Sequence, residues 1–371
     1  METDTQFAVE QQAALSQEAA ALSMVAFWDV RDDIEPTEPR PRVHPHVWKW
    51  RDIEPKLRRS ADAIPLEQAE RRALLCSNPG LSPKPYMTDT ILAAYSLYNP
   101  GEQAPVHKHT PSASRFLLEG TGGFTTVDGE KCMMSRGDLI LTPNGTWHDH
   151  GNDGEEPIIW MDVLDLPLVE SLNNSIFEFD YAEIDAQSNT GEPQLRATQN
   201  IRHPDDHSTR LYAQGGMVPL FGERTRGGAG SSPMLIYRGS DTRAQLNRLS
   251  DYPGDPCDGI IIEFVDPLTG GSVMSTLSYR AQLLRPGERT QTHRHTSSTM
   301  YCVMEGSGVT YVNGTALHWE RNDAFCVPGW AWHAHENQMP EDAVLYSVTD
   351  APTLKKLGLY REEVENPTED L

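Results

Sequence analysis

The sequence predicts an all-β core in two copies, each a barrel or sandwich, with helical segments at both ends of the chain. Three observations carry this expectation. Short runs rich in β-branched and apolar residues are separated by Gly, Asp, Asn and Pro. The same succession of runs is written twice. The 28 Gly and 27 Pro are scattered through 371 residues rather than clustered, which suits a folded, turn-rich chain.

Residues 9 to 27 place Ala, Leu, Met and Val at helical spacing among Gln and Glu, which reads as a helix packed on a domain or a neighbouring subunit. No basic residue precedes Arg31 and the apolar positions are interrupted, so the segment fits neither a signal peptide nor a membrane span. A soluble, cytoplasmic protein with no membrane partner is expected. Residues 1–85 form a helical and extended N-terminal segment. The first β domain, 86–170, contains "MTDTILAAYSLY", "SRFLLEG", "GGFTTVDGEKCMM", "GDLILTP" and "PIIWMDVLDLP". A linker, 171–254, holds "HPDDHSTR" and "GERTRGGAGSSP". The second β domain, 255–352, resumes with "GIIIEFVDP" and "VMSTLSYRAQLL", and a helical tail, 353–371, closes the chain.

Acidic residues outnumber basic ones 54 to 31, a formal charge of −23, and no Lys/Arg cluster could track a phosphate backbone. Nucleic acid is therefore excluded as a partner, and the charge itself reads as solubility. An anionic substrate would need a local cation, a metal or a buried arginine, to enter against this field. The five cysteines, far apart and without a Cys-x-x-Cys pair, point to a reducing compartment and no structural zinc.

The repeat holds residue by residue. Gly101 stands six before His107, as Gly287 does before His293; His109 stands ten before Glu119, as His295 does before Glu305. Asp138, Pro143, His148, His150 and Asn152 match Asp323, Pro328, His333, His335 and Asn337 at identical mutual spacings.

Successive strand residues alternate faces, so His107 and His109 point the same way and can share one ion. A third ligand must come from another strand, and His148 in "GDLILTPNGTWHDHGN" is the candidate. A His-x-His pair alone is weak: His44 and His46 in "VHPHVW" have that spacing with no strand pattern around them, and are assigned to structure.

The combined pattern of Gly101, His107, His109, Gly137, Pro143, Gly145, His148 and Asn152 resembles the two motifs of the cupin superfamily. With its second copy the chain resembles a bicupin, which implies two jelly-roll β-barrels. The glutamate ligand usual in the first cupin motif is replaced by Ala113, and by Thr299 in the second copy. Three neutral histidines suit Fe(II) with open positions for a chelating anion and dioxygen. The missing glutamate argues against a manganese decarboxylase of the oxalate type.

A narrower resemblance spans nearly the whole chain: "PHVWKW", "ERRALLCSNPGL", "HKHTPSASRFLLEG", "MSRGDLILTP", "MDVLDLP" and "DPLTGGSVMSTL" are similar to segments of gentisate, salicylate and 1-hydroxy-2-naphthoate dioxygenases. It implies that His107, His109 and His148 take iron and that Arg115 pairs with a substrate carboxylate, a task guanidinium geometry fits. Arg71 falls on a second arginine of the pocket, with Arg72 the alternative. His150 becomes the group that hydrogen-bonds substrate and shuttles a proton. Asp162 either accepts from a substrate hydroxyl or fixes an arginine. The implied reaction opens the ring of a small aromatic hydroxy acid with O2 between its carboxyl- and hydroxyl-bearing carbons, gentisate giving maleylpyruvate. Leu92, Ala94 and Ser96 stand where salicylate-cleaving relatives carry other residues, which favours gentisate. Salicylate, substituted salicylates, 1-hydroxy-2-naphthoate and a carboxylate-binding bicupin without turnover are the alternatives. The second copy keeps His293, His295 and His333 for a second metal ion, but Tyr301 replaces Arg115 and Trp330 replaces Gly145, so the main ring cleavage is not expected there. The resemblance also implies a homotetramer.

Overall fold

The structure, a computed structural model, describes residues 2–65, 69, 71–179 and 201–365. It divides into two units, residues 1–40 and 41–371. In the first, the expected N-terminal helix runs from Glu2 to Ala21 and a second covers Phe27–Ile34. From residue 8 onward its side chains are mostly exposed, and Ala26 alone is buried among those described.

The second unit holds the expected all-β core, in four antiparallel sheets paired into two barrels. The large sheet of the first barrel is ordered β12 (Ile236–Tyr237), β8 (Leu139–Thr142), β5 (Ala113–Glu119), β10 (Ile158–Leu164), β3 (Leu92–Tyr98), β2 (Arg72–Leu75). Its small sheet is β11 (Phe177–Phe179), β4 (His107–His109), β9 (His148–Asn152), β6 (Gly123–Val127), β7 (Glu130–Met133). The second barrel repeats this plan. Its large sheet is β1 (His46–Trp48), β19 (Ala324–Val327), β16 (Thr299–Glu305), β21 (Ala343–Thr349), β14 (Ser278–Leu284), β13 (Ile260–Phe264). Its small sheet is β18 (Thr315–Glu320), β17 (Ser307–Val312), β20 (His333–Glu336), β15 (His293–His295), β22 (Glu362–Val364).

The central strands read as continuous apolar runs because both their faces are covered. Along β3, Tyr98 points into the first barrel with Leu117, Ile140 and Trp160, whereas Ala93, Tyr95 and Leu97 join a second core on the opposite face. That second core also takes Tyr279, Ala281, Leu283, Met300 and Cys302 of the other barrel, so the outer faces of the two large sheets share one apolar layer. The interior of the second barrel is a separate cluster around Leu284, Tyr301, Trp319 and Phe325.

The repeat is longer than its motifs, and its outermost strands are exchanged. β1 lies ahead of the first barrel yet pairs with β19 of the second, His46 opposite Cys326. β12 lies ahead of the second barrel yet pairs with β8 of the first, Ile236 opposite Ile140. Each exchanged strand leads into a helix, Trp50–Ala63 or Gly239–Leu249, whose first residues are held by a buried aspartate of the borrowed barrel. Trp50 N donates to Asp323 and Gly239 N to Asp138. The stretch 171–254, read from sequence as a linker, thus supplies β11 and β12 to the first barrel. The C-terminal stretch read as helical contains the end of a short helix, Ala351–Lys356, and then β22, which pairs with β15.

A reciprocal clasp joins the barrels. Asp165 accepts from Ser112 N of its own barrel at 2.7 Å and from Thr276 Oγ1, which leads into the second, at 2.5 Å. Asp350 accepts from Ser298 N at 3.0 Å and from Thr90 Oγ1, which leads into the first, at 2.7 Å. Burial raises both carboxyls from 3.8 to about 6 against these hydrogen bonds. The folded state holds the proton more tightly, so the contribution is complete below pH 4 and lost as pH rises through 6. The unfolding free energy in urea should therefore fall between pH 4 and 7 by up to about 3 kcal/mol per carboxyl more than in the Asp165→Asn/Asp350→Asn double variant. Equal pH slopes would show that the two groups titrate alike in both states.

Candidate metal centre

β4 carries His107 and His109 on one face, both buried, with Lys108 between them turned outward. β9 runs antiparallel beside it with His107 opposite His148, and His150 follows two residues later on the same face. The ring centroids of His107 and His148 are 4.3 Å apart, those of His109 and His148 4.7 Å, and those of His107 and His109 5.6 Å. His107, His148 and His150 each offer a nitrogen within 4.8 Å of the other two. The structure thus gathers four histidines rather than three, and hydrogen bonding separates their roles.

His107 Nδ1 lies 2.8 Å from Pro105 O, His109 Nδ1 2.7 Å from Pro111 O and His148 Nδ1 2.9 Å from Thr146 O. A carbonyl can only accept, so each ring carries its proton at Nδ1 and presents a lone pair at Nε2. His107 Nε2 and His148 Nε2 are buried and have no partner among the described residues. Burial, with the Arg71 charge second, lowers His107 from 6.5 to about 3, and burial lowers His109 to about 4. Burial and its neighbouring rings hold His148 well below the usual range as well. Neutral imidazoles with orphaned, convergent lone pairs fit a divalent metal. Neither His cluster includes a carboxylate, consistent with Ala113 and Thr299 at the glutamate positions.

His150 is different. Its Nε2 accepts from Arg115 Nη2 at 2.8 Å, which leaves its proton at Nδ1, 3.2 Å from Thr125 Oγ1, so its one lone pair is already engaged. Arg115 stands on β5 opposite Asp162 of β10, only 2% exposed. Its Nη1 donates to Thr142 Oγ1 at 2.7 Å, and its Nε lies 2.9 Å from Asp162 Oδ1 as an ion pair without hydrogen-bond alignment. Two of the five guanidinium N–H groups thus donate to protein atoms while Nε sits beside the Asp162 carboxylate, and one N–H on each terminal nitrogen remains for a ligand. Burial lowers the Arg115 pKa and Asp162 opposes that.

Of the two roles considered for Asp162, the structure places it against the arginine: its other oxygen takes Ser96 Oγ at 2.6 Å and Trp160 Nε1 at 2.9 Å. The two adjacent arginines diverge. Arg72 is buried in a two-pronged pair with Glu102, at 2.5 and 2.7 Å, and donates to Ile64 O. Arg71 is half-buried, and its charge bears on His107, His109, His150 and Arg115. Nothing in the first-barrel motifs singles out Thr125 or Thr142. The repeat carried a signal for the first: Thr310 Oγ1 lies 2.8 Å from His335 Nδ1, the same spacing from its histidine.

Comparison with known proteins agrees with the two-barrel fold. The Cupin domain model covers residues 94–164 and 281–349, one match in each barrel. The 5-aminosalicylate 1,2-dioxygenase of Comamonas sp. is 40% identical over 94% of this chain and 89% of its own length. Gentisate 1,2-dioxygenase 1 of Aquipseudomonas alcaligenes is 36% identical over 91% of this chain and 92% of its own. The crystal structure of salicylate 1,2-dioxygenase from Pseudoaminobacter salicylatoxidans with gentisate superposes with a TM-score of 0.85 at 32% identity, covering 96% of this chain and 94% of that one. A 1-hydroxy-2-naphthoate 1,2-dioxygenase of Nocardioides sp. is 32% identical over 88% of this chain. With barrels, motifs and relatives in agreement over nearly its whole length, this chain belongs to the bicupin family of gentisate, salicylate and 1-hydroxy-2-naphthoate ring-cleaving dioxygenases.

Proposed function

We propose that this dioxygenase acts on gentisate, giving maleylpyruvate, with Fe(II) at His107, His109 and His148. The observation that carries this reading is the pair of orphaned, neutral Nε2 atoms of His107 and His148 beside a buried arginine with N–H groups to spare. When bound, ferrous iron supplies a redox centre at which a chelating hydroxy acid and dioxygen meet.

The residues do the rest. Arg115, oriented by Asp162 and Thr142, directs its remaining N–H groups at the substrate carboxylate, with Arg71 as a second cation at the mouth. His150 accepts the phenolic proton at Nε2 when Arg115 Nη2 turns from that nitrogen to the substrate carboxylate, and passes it on because burial and the Arg115 charge disfavour its imidazolium. Leu92 and Ala94 form a small apolar wall with Ala113 and Leu164, beside the aromatic ring. The hydroxyl para to the reacting one makes gentisate electron-rich. An amino group there does the same, and the 40% identity to a 5-aminosalicylate dioxygenase favours that compound as the second reading. The reading includes a cytoplasmic tetramer, supported by the family and by five buried, unpaired cysteines. Among the described residues no helix is long and apolar enough to cross a membrane.

Oxygen uptake by protein loaded with Fe(II) and assayed for iron content is expected with gentisate, more slowly with 5-aminosalicylate, and barely with salicylate, with ring-opened product forming in step. No uptake with gentisate in iron-replete protein would sink the assignment; faster turnover of 5-aminosalicylate would replace one substrate by the other. Arg115→Lys, which keeps charge but loses the fork, should lower kcat/KM by about 100-fold with metal content intact. Asp162→Asn should cost about 10- to 100-fold by loosening Arg115, again without loss of iron. Loss of metal in either variant would mean that the network supports the histidines rather than the substrate.

A further inference from the structure

We propose that the second barrel is itself a binding site, holding a divalent transition-metal ion on His293, His295 and His333 and a small anion beside it on Gln282 and Arg280. The three rings repeat the first barrel's arrangement, with centroids 5.6, 4.1 and 5.1 Å apart and a ligand atom from each within 4.8 Å of the others. His295 Nδ1 lies 2.8 Å from Ser297 O and His333 Nδ1 2.9 Å from Ala331 O, so both rings turn a lone pair at Nε2 toward the group. His333 Nε2 is buried without a partner, and so is His293 Nδ1.

The interior beside these histidines carries polar groups of its own. Side chains alternate along β14, and Leu284 lies in the barrel's interior cluster, so Gln282 and Arg280 face the interior too. Gln282 is fully buried, yet neither its amide oxygen nor its amide nitrogen has a partner among the described residues. Native interiors rarely tolerate such a group unless something outside the chain satisfies it. His335 Nε2 is orphaned as well, because Tyr301 stands at the place from which Arg115 reaches His150 in the first barrel. The cation reappears one strand away: Arg280 occupies the place of Ala94, and its charge bears on His295 and Tyr301. Among the described residues no hydrogen bond or ion pair engages the Arg280 guanidinium. Half-buried Asp258 bears electrostatically on Arg280 and His293 as well. The inference stands independently of the substrate proposed for the first barrel.

The test uses the full chain with Co(II) as the probe metal and formate as the probe anion. Cobalt per chain after desalting, together with the visible d–d spectrum, is expected to show one ion per barrel. His333→Gln should halve the count, and His107→Ala/His148→Ala should halve it from the other side while leaving a spectrum that formate perturbs. Arg280→Ala/Gln282→Leu should keep both ions and weaken formate binding in that background by about tenfold or more. A wild-type count of one ion per chain that His333→Gln leaves unchanged would overturn the metal site. Formate binding unaffected by the Arg280/Gln282 variant, or a spectrum formate never alters, would overturn the anion site.

Discussion

The first-barrel site depends on the anchoring of an imidazole at Nδ1. A neutral ring has one N–H to donate, and His107, His109 and His148 donate it to the carbonyl of a residue two positions away, outside their own strands. That choice fixes the tautomer, the rotation of the ring and the direction of the remaining lone pair together. Burial then prevents protonation from competing with a metal. The two strands supply position, since β4 and β9 are adjacent and paired at His107 and His148. The clamp at Arg115 and the proton carrier at His150 are arranged around a centre already set by the backbone.

Much of this was legible because the ligands lie on regular strands, where a period of two assigns faces from spacing alone. His107 and His109 could be put on one face by counting, whereas His148 and Arg115 were singled out by the resemblance to known motifs. The partners of Arg115 could not, since Thr142 and Asp162 reach it across strands whose register the sequence does not display. The sequence leaves two roles open for Asp162 because a carboxylate opposite an arginine and one opposite a substrate hydroxyl look alike in it. The exchanged strands were also hidden. "HVW" and "IY" are too short to show alternation, and their partners lie in a different barrel. "EEV" in the C-terminal segment is exposed and charged, and becomes a strand only because β15 offers it an edge.

The two barrels differ in a way that electrostatics explains. Arg115 and Asp162 are cross-strand neighbours deep in the first; Tyr301 and Ser347 occupy the same pair of positions in the second. Losing either charge alone would strand the other in a low-dielectric interior, a penalty of about 3–5 kcal/mol. The pair is replaced as a unit, and Tyr301 stacks on Phe325 at 4.6 Å to extend the apolar core into the vacated volume. Trp330 keeps a left-handed φ of 63° where Gly145 has 73°, so the turn before the last histidine survives the loss of its glycine.

Strand exchange sets the order in which the chain can fold. β1 leaves the ribosome some 280 residues ahead of its partner, His46 pairing with Cys326 of β19. The first barrel exposes the edge of β8 until β12 has been synthesised, and during that interval it presents an open template to other nascent chains. Long-range pairing of this kind is slow to form and becomes cooperative once formed. A gene cut between the two barrels would therefore yield two halves that each lack an edge strand and carry an unclaimed one. Those halves could recover the architecture only by associating with each other.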